Sequence, residues 1–193
     1  MSSALLDPRT ALVIIDLQRG VVGMPTLPHS SEVVVKNSVA LARAFREHDL
    51  PVVLVRVSFA ADGADAAPGR ITNPMPKGAA FPEGWDELVD ELDVRSTDIQ
   101  ITKRQWGAFY GTELDLQLRR RGITEVVLTG IATSIGVESS ARAAHEHGYH
   151  VVVVEDATAD RDLASHEHAT TRIFPRLGLV AGTDQILEEL QAR

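Results

Sequence analysis

The chain contains no cysteine. That absence removes disulfides, thiolate metal sites and any cysteine nucleophile together. Positive charge is also scarce: 19 Lys and Arg stand against 27 Asp and Glu, a formal net charge of −8. Neither nucleic acid nor an anionic membrane surface would attract such a chain, so both are set aside as partners. No apolar run approaches the roughly 18 residues needed to cross a bilayer. Residues 1–10 lack the charged-then-apolar layout of a secretory signal, so the expected compartment is the cytoplasm. Internal repeats and linkers are missing too, and 193 residues suffice for one domain, 1–193, with a two-faced core. The apolar share of 44% and charged share of 24% are ordinary for a globular protein.

What is present is organised around Ile123 to Asp156. Glu125 to Thr129 and Val151 to Val154 are β-branched and apolar without alternation, as in strands covered on both faces. Between them Val137, Ala141, Ala144 and Gly148 recur at helical spacing and are small enough for close packing on a sheet. Strand, helix and strand with short connections make a βαβ unit, so the two strands are expected to be parallel. The turn from Gly130 to Val137 lies where a strand ends and a helix begins, and such a turn offers unpaired N–H groups to a developing negative charge. Any βα turn has these properties, and most are only connections.

Thr10 to Leu17 reads as the first strand, with Asp16 at its carboxyl end and Gln18 just beyond. An acid there sits at the ligand-binding edge of an open α/β sheet, although a cap or an ion pair would place it there equally. Residues 32–48 have the spacing of an amphipathic helix, and Val52 to Val57 is the second strand. Residues 60–84 are rich in proline and glycine and read as an irregular excursion in which Arg70, Asn73 and Lys77 offer polar groups. A short helix is expected over Trp85 to Leu92, and a third strand over Asp98 to Thr102, ending at Lys103. The following KRQWGAFYGT places Trp106, Phe109 and Tyr110 where pocket lining is usual, or where a hydrophobic staple would sit. Thr112 and Asp115 suggest a capping-box start to the next helix. Asp156 closes the strand at residues 151–155. Ser165 to Leu177 reads as helical with a break near Pro175, and a short strand and a terminal helix complete the chain. The pairs His145/His147 and His166/His168 are two apart, on different helix faces, so no metal site and no cofactor is expected from them. About six parallel strands in one α/β domain result.

Asp16, Lys103 and the 130–137 turn thus lie at the carboxyl ends of three strands of one sheet. If the strand order reverses between the first strand and the one at 125–129, Asp16 and the turn face each other across that switch point. A carboxylate beside an ammonium has a shifted proton affinity, the raw material of acid–base catalysis.

The segments ALVIIDLQ around Asp16, ITKRQWGAFYGTELDLQLRRRGI around Lys103 and VVLTGIATSIGVESSARAAHEHGYHVVVVEDA resemble the isochorismatase-like hydrolase family over nearly the whole chain. The resemblance implies a Rossmann-like three-layer α/β/α sandwich assembled into dimers or larger oligomers, and a small-molecule substrate. The family's usual triad is Asp, Lys and Cys. Carried over, it implies Asp16, Lys103, a cis bond between Ile131 and Ala132, and an oxyanion hole from the N–H groups of Ala132 and Gly136. Ile131, Thr133, Gln18, Trp106, Phe109 and Tyr110 are the further substrate-binding candidates. Gly136 stands where the family has its nucleophilic Cys, so thioester chemistry is closed to this chain. Ser134, Ser139 and Ser140 are near in sequence but none occupies that position. The metal-binding Asp/His set of nicotinamidases is likewise missing where RVSFAADG follows the second strand.

The resemblance to the Gly-bearing branch of the family, the isochorismatases that cleave a vinyl ether, implies chemistry without a nucleophilic side chain. Asp16 would be the general acid, and Lys103 would hold a substrate carboxylate or steady the Asp16 anion. A catalytically silent small-ligand binder or scaffold, and amide hydrolysis by activated water, remain the alternatives.

Overall fold

A computed structural model describes residues 5–67, 69–73 and 81–193. Six strands, β1 (Thr10–Ile15), β2 (Val52–Val57), β3 (Ile99–Lys103), β4 (Glu125–Ile131), β5 (His150–Ala159) and β6 (Leu179–Ala181), form one sheet. Their order is β3-β2-β1-β4-β5-β6 and every pairing is parallel. The chain builds one half of the sheet outward from β1 and then returns to start the other half at β4, so the order reverses between these two strands.

Successive side chains of a strand point to opposite faces, and β1 sorts accordingly. Ala11, Val13 and Ile15 enter one core and Leu12 and Ile14 the other. The first core is closed by α3 (Leu114–Arg120), α4 (Glu138–Glu146) and α6 (Phe174–Leu177), through Leu114, Leu118, Ala141, Ala144 and Phe174. The second is closed by α2 (Ser31–Glu47) and α7 (Thr183–Gln191), with the single turn α1 (Arg19–Val22) between β1 and α2. On α2 the residues Val34, Leu41, Ala42 and Phe45 share one face, and Ser30 caps its start by accepting the Val33 N–H at 3.4 Å. Phe45 is fully buried, which alone contributes about 1.5–3 kcal/mol. The result is a three-layer α/β/α sandwich. Among the described residues no helix is long and apolar enough to cross a membrane.

Several sequence expectations are corrected. The helix expected over Trp85–Leu92 shrinks to a 3-10 turn at Asp90–Leu92. The backbone before it is engaged elsewhere: Gly20 N–H donates to Trp85 O and Arg19 N–H to Glu87 O, both at 2.9 Å, and Leu88 forms a bridge with Gln18. β5 does not end at Asp156 but runs on to Ala159, since a register shift against β4 between Leu128 and Gly130 lets pairing resume. Asp156 instead anchors α7, accepting from the Thr183 N–H and hydroxyl, each at 2.8 Å. The start of α3 is capped by no side chain of the expected box; Thr112 accepts the Leu114 N–H from just outside it. The helical stretch near Pro175 consists of α5 (Leu163–His168), a π-helical segment Ala169–Ile173, and α6 with Pro175 in its first turn. Arg70 and Asn73 are exposed, and Lys77 lies outside the described residues.

Candidate active site

Asp16 follows the last residue of β1 in a left-handed conformation, φ 55°. Its N–H remains on the ladder, donating to Val55 O at 2.9 Å, while the left-handed backbone turns the chain out of the sheet. Lys103 ends β3, two strands away, and its long stem reaches back across β2. Its Nζ donates to Asp16 Oδ2 at 2.7 Å and to Gln105 O at 3.2 Å. Both residues are almost wholly enclosed, Lys103 at 2% exposure and Asp16 at 6%. Among the described residues the other carboxyl oxygen, Asp16 Oδ1, is buried with no hydrogen-bond partner. Burial pushes the Asp16 carboxyl up to about 6, against the downward pull of the Lys103 charge and its hydrogen bond.

The third component is the turn after β4. Gly130 has φ 121°, and a Cβ there would lie 2.0 Å from Ile15 O, so only glycine lets β4 pass so close to the end of β1. The Ile131–Ala132 peptide is cis. A π-helical turn, Thr133–Val137, then leads directly into α4. Two side chains clamp this turn. Asp160 accepts the Ser134 N–H at 2.7 Å through Oδ2. Ser140 donates to Gly136 O at 2.7 Å and accepts the Ala108 N–H at 3.1 Å, tying the turn to the loop after β3. A Cβ built on Gly136 would stand 3.2 Å from Asp16 Oδ2, 3.5 Å from Trp106 O and 2.9 Å from Ile15 Cγ2. Gly136 therefore packs directly against the carboxyl group, so closely that even a Cβ would crowd Ile15 Cγ2.

The other candidates are distributed unevenly. Gln18 is buried, and its amide is spent on the backbone: Nε2 donates to Val57 O at 3.0 Å and Oε1 accepts the Val57 N–H at 2.9 Å. It braces the exits of β1 and β2 instead of presenting a free polar group. Phe109 belongs to the core, its ring 5.9 Å from Tyr149 and 5.3 Å from His147, toward the opposite edge of the sheet. Trp106 and Tyr110 are 65% and 84% exposed, and Trp106 approaches Gly136 through its main chain. Ile131 lies in the second core, Ala132 is half-buried, and the Thr133 hydroxyl turns away to His166 Nδ1 at 2.9 Å. Nothing in the sequence singles out Asp160, and Ser140 enters there only as a replacement nucleophile; the structure shows both as clamps of the turn.

Neither of two broad surface grooves marks the site. One, about 560 Å³, runs along α2 past Val35, Lys36 and Val39, and the other, about 740 Å³, lies by Asp49, Pro51 and Arg95. The Asp16–Lys103 pair marks it instead, because it lies at the carboxyl ends of the strands where the order reverses and burial raises the proton affinity of its acid.

The Isochorismatase domain profile matches residues 10–185. The isochorismatase family protein YecD of Escherichia coli O157:H7 is 45% identical over 181 residues, 94% of this chain and 96% of that protein. The crystallised isochorismatase family protein of Burkholderia thailandensis superposes with a TM-score of 0.93 at 47% identity, covering 98% of this chain and all of that one. N-carbamoylsarcosine amidase of Thermoplasma acidophilum shares the fold at a TM-score of 0.74 and 29% identity, over 91% of this chain and 97% of its own. With the profile spanning nearly the whole sheet and a relative of such similarity along its full length, the chain belongs to the isochorismatase family of hydrolases.

Proposed function

We propose that the protein hydrolyses a small carboxylate-bearing vinyl ether of the isochorismate type, without a covalent thioester, and that Asp16 is its general acid. One observation carries the reading: a buried, raised-pKa carboxyl group, ion-paired on one oxygen and unpartnered on the other, faces a residue with no side chain. The proton sits on Oδ1 while Lys103 holds Oδ2. Asp16 delivers that proton to the terminal carbon of the enol ether, leaving an oxocarbenium ion and an aspartate steadied by the ammonium. Water adds to the cation and returns a proton to Asp16, and the hemiketal collapses to a 2-oxo acid and an alcohol. The overall change consumes one water and needs no nucleophilic side chain. The same reading makes the protein a cytoplasmic homo-oligomer; the exposed Leu179 and Val180 on the outer strand β6 support an association surface.

The pH dependence tests the role of Asp16. A general acid must be protonated, so kcat/KM on isochorismate is expected to be level below the Asp16 value of about 6 and to fall about tenfold per pH unit above it. A rate that climbs through the same range would assign Asp16 the role of base, and a level rate would detach it from proton transfer.

A second reading, amide hydrolysis by water with Asp16 as base, is supported by the likeness to the Thermoplasma amidase. Gly136→Cys probes it by placing a thiol beside the Asp16–Lys103 pair. Because the new Cβ meets Ile15 Cγ2 at 2.9 Å, the variant is best combined with Ile15→Ala, which removes that methyl group. Amidase activity gained by the double variant and absent from the parent is expected if the turn is a competent oxyanion cradle. Amidase activity already present in the parent would favour the second reading over the first.

A further inference from the structure

On the far side of the 133–137 turn lies a cluster that the chemistry above does not use. His29 Nε2 is 3.3 Å and His166 Nε2 3.2 Å from the same carboxylate oxygen, Glu155 Oε1, and the three atoms lie within 4.8 Å of one another. The rings stand edge to face, centroids 6.1 Å apart and planes at 82°, so both nitrogens converge on one point without stacking. We propose that His29, Glu155 and His166 form a binding site for a divalent first-row transition ion of the zinc type.

Three lines of geometry support this. With metal–ligand bonds of about 2.0–2.1 Å, neighbouring ligands of a tetrahedral ion are about 3.3 Å apart, which is the spacing of each imidazole from the carboxylate. Two imidazoles and one carboxylate suit zinc, cobalt or nickel and not calcium or magnesium, which require oxygen sets. The outer partners also fit. The Thr133 hydroxyl lies 2.9 Å from His166 Nδ1, and by accepting its N–H it would leave the Nε2 lone pair free, as a ligating histidine requires.

The three residues come from different parts of the fold, and each is held in place. His29 sits on a loop that pairs with Asp160 through Leu27, with the Thr26 hydroxyl donating to His29 O at 2.8 Å. Glu155 belongs to β5, and His166, whose side chain is 2% exposed, to α5. The side chains of His29 and Glu155 are 28% and 40% exposed, so an ion can enter and keep a water in a fourth position. Because His166 touches Thr133, an ion here would bear on the turn that faces Asp16, but the proposal does not depend on what that turn catalyses.

The test uses the full, untagged protein stripped with a chelator and titrated with Co²⁺, followed by Zn²⁺ competition. One equivalent of Co²⁺ is expected to bind with the visible absorption of a tetrahedral site, and Zn²⁺ to displace it and raise the melting temperature. His29→Gln and Glu155→Gln are each expected to weaken binding by at least about a hundredfold, and Thr133→Val by about ten- to a hundredfold. His48→Gln, at an exposed histidine elsewhere, is expected to leave it unchanged. His29 and Glu155 are partly exposed, so their variants should fold and a loss of binding can be read directly. Failure to bind one equivalent, or equal binding by the parent and His29→Gln, would overturn the proposal and leave the cluster a hydrogen-bond network only.

Discussion

Asp16→Asn is expected to lower isochorismate turnover by about 10²- to 10⁴-fold, the range that a positioned acid contributes to a proton-transfer step. Asparagine keeps the size of the side chain and can still accept from Lys103, but it has no proton to give. The residue lies 2.7 Å from Lys103, and among the described residues its other oxygen has no hydrogen-bond partner and so no neighbouring carboxyl group to replace it. The substitution also strips a buried ammonium of its counter-ion. Rates should therefore be compared at a temperature where circular dichroism shows both proteins folded. Parental activity in a folded Asp16→Asn protein would end the case for acid catalysis at this position.

Lys103→Met is expected to cost about 3–5 kcal/mol of stability at pH 8, because it leaves the Asp16 carboxylate buried and unpaired. Methionine is close in volume and apolar, so the loss reflects charge more than packing. Its pH dependence follows from linkage. Asp16 titrates higher in the folded protein than its ordinary 3.8, reaching about 6 with Lys103 present, and removing the cation moves it higher still. Such a group binds its proton more readily folded than unfolded, and in both proteins it stays protonated when folded up to about pH 6, so the difference between variant and parent is small below that value and grows as pH rises above it. Denaturant titrations should accordingly show a smaller difference between variant and parent at pH 5 than at pH 8. An equal difference at both would mean that the ion pair's charge does not govern the stability of this region.

Much of this arrangement was legible in the residues. β1, β2, β4 and β5 announce themselves as unbroken β-branched runs because each is covered on both faces. Placing Asp16 and Lys103 at strand ends was enough to put them on one edge of the sheet. The strand order, which brings Asp16 opposite the 130–137 turn, followed only conditionally from sequence and is seen in the pairing of β1 with both β2 and β4. Features set by tertiary contacts were not legible. Trp85 looked helical, yet Phe81 packs on its ring at 4.0 Å and its carbonyl is engaged by Gly20. Local periodicity cannot report such commitments. Asp160 acts on a residue 26 positions earlier, and His29 meets Glu155 across 126 positions. Sequence spacing relates His166 only to His168, its neighbour along the helix, whereas its partners come from a loop and a strand. Spacing rules recognise ligands that share an element; they miss a set assembled from three.

Lys103 belongs to the outermost strand. β3 has a single neighbour in the sheet, and its approach is secured from one side by Arg46 of α2, which bonds Asp98 at 2.6 Å in a buried ion pair. Half of the proposed couple is therefore carried by a margin of the molecule, and the other half by its centre. Margins open more readily than centres. On the proposed reading, mild heating or denaturant is expected to part the two groups while the interior strands remain zipped, which would make activity a finer gauge of local integrity than any signal from the bulk.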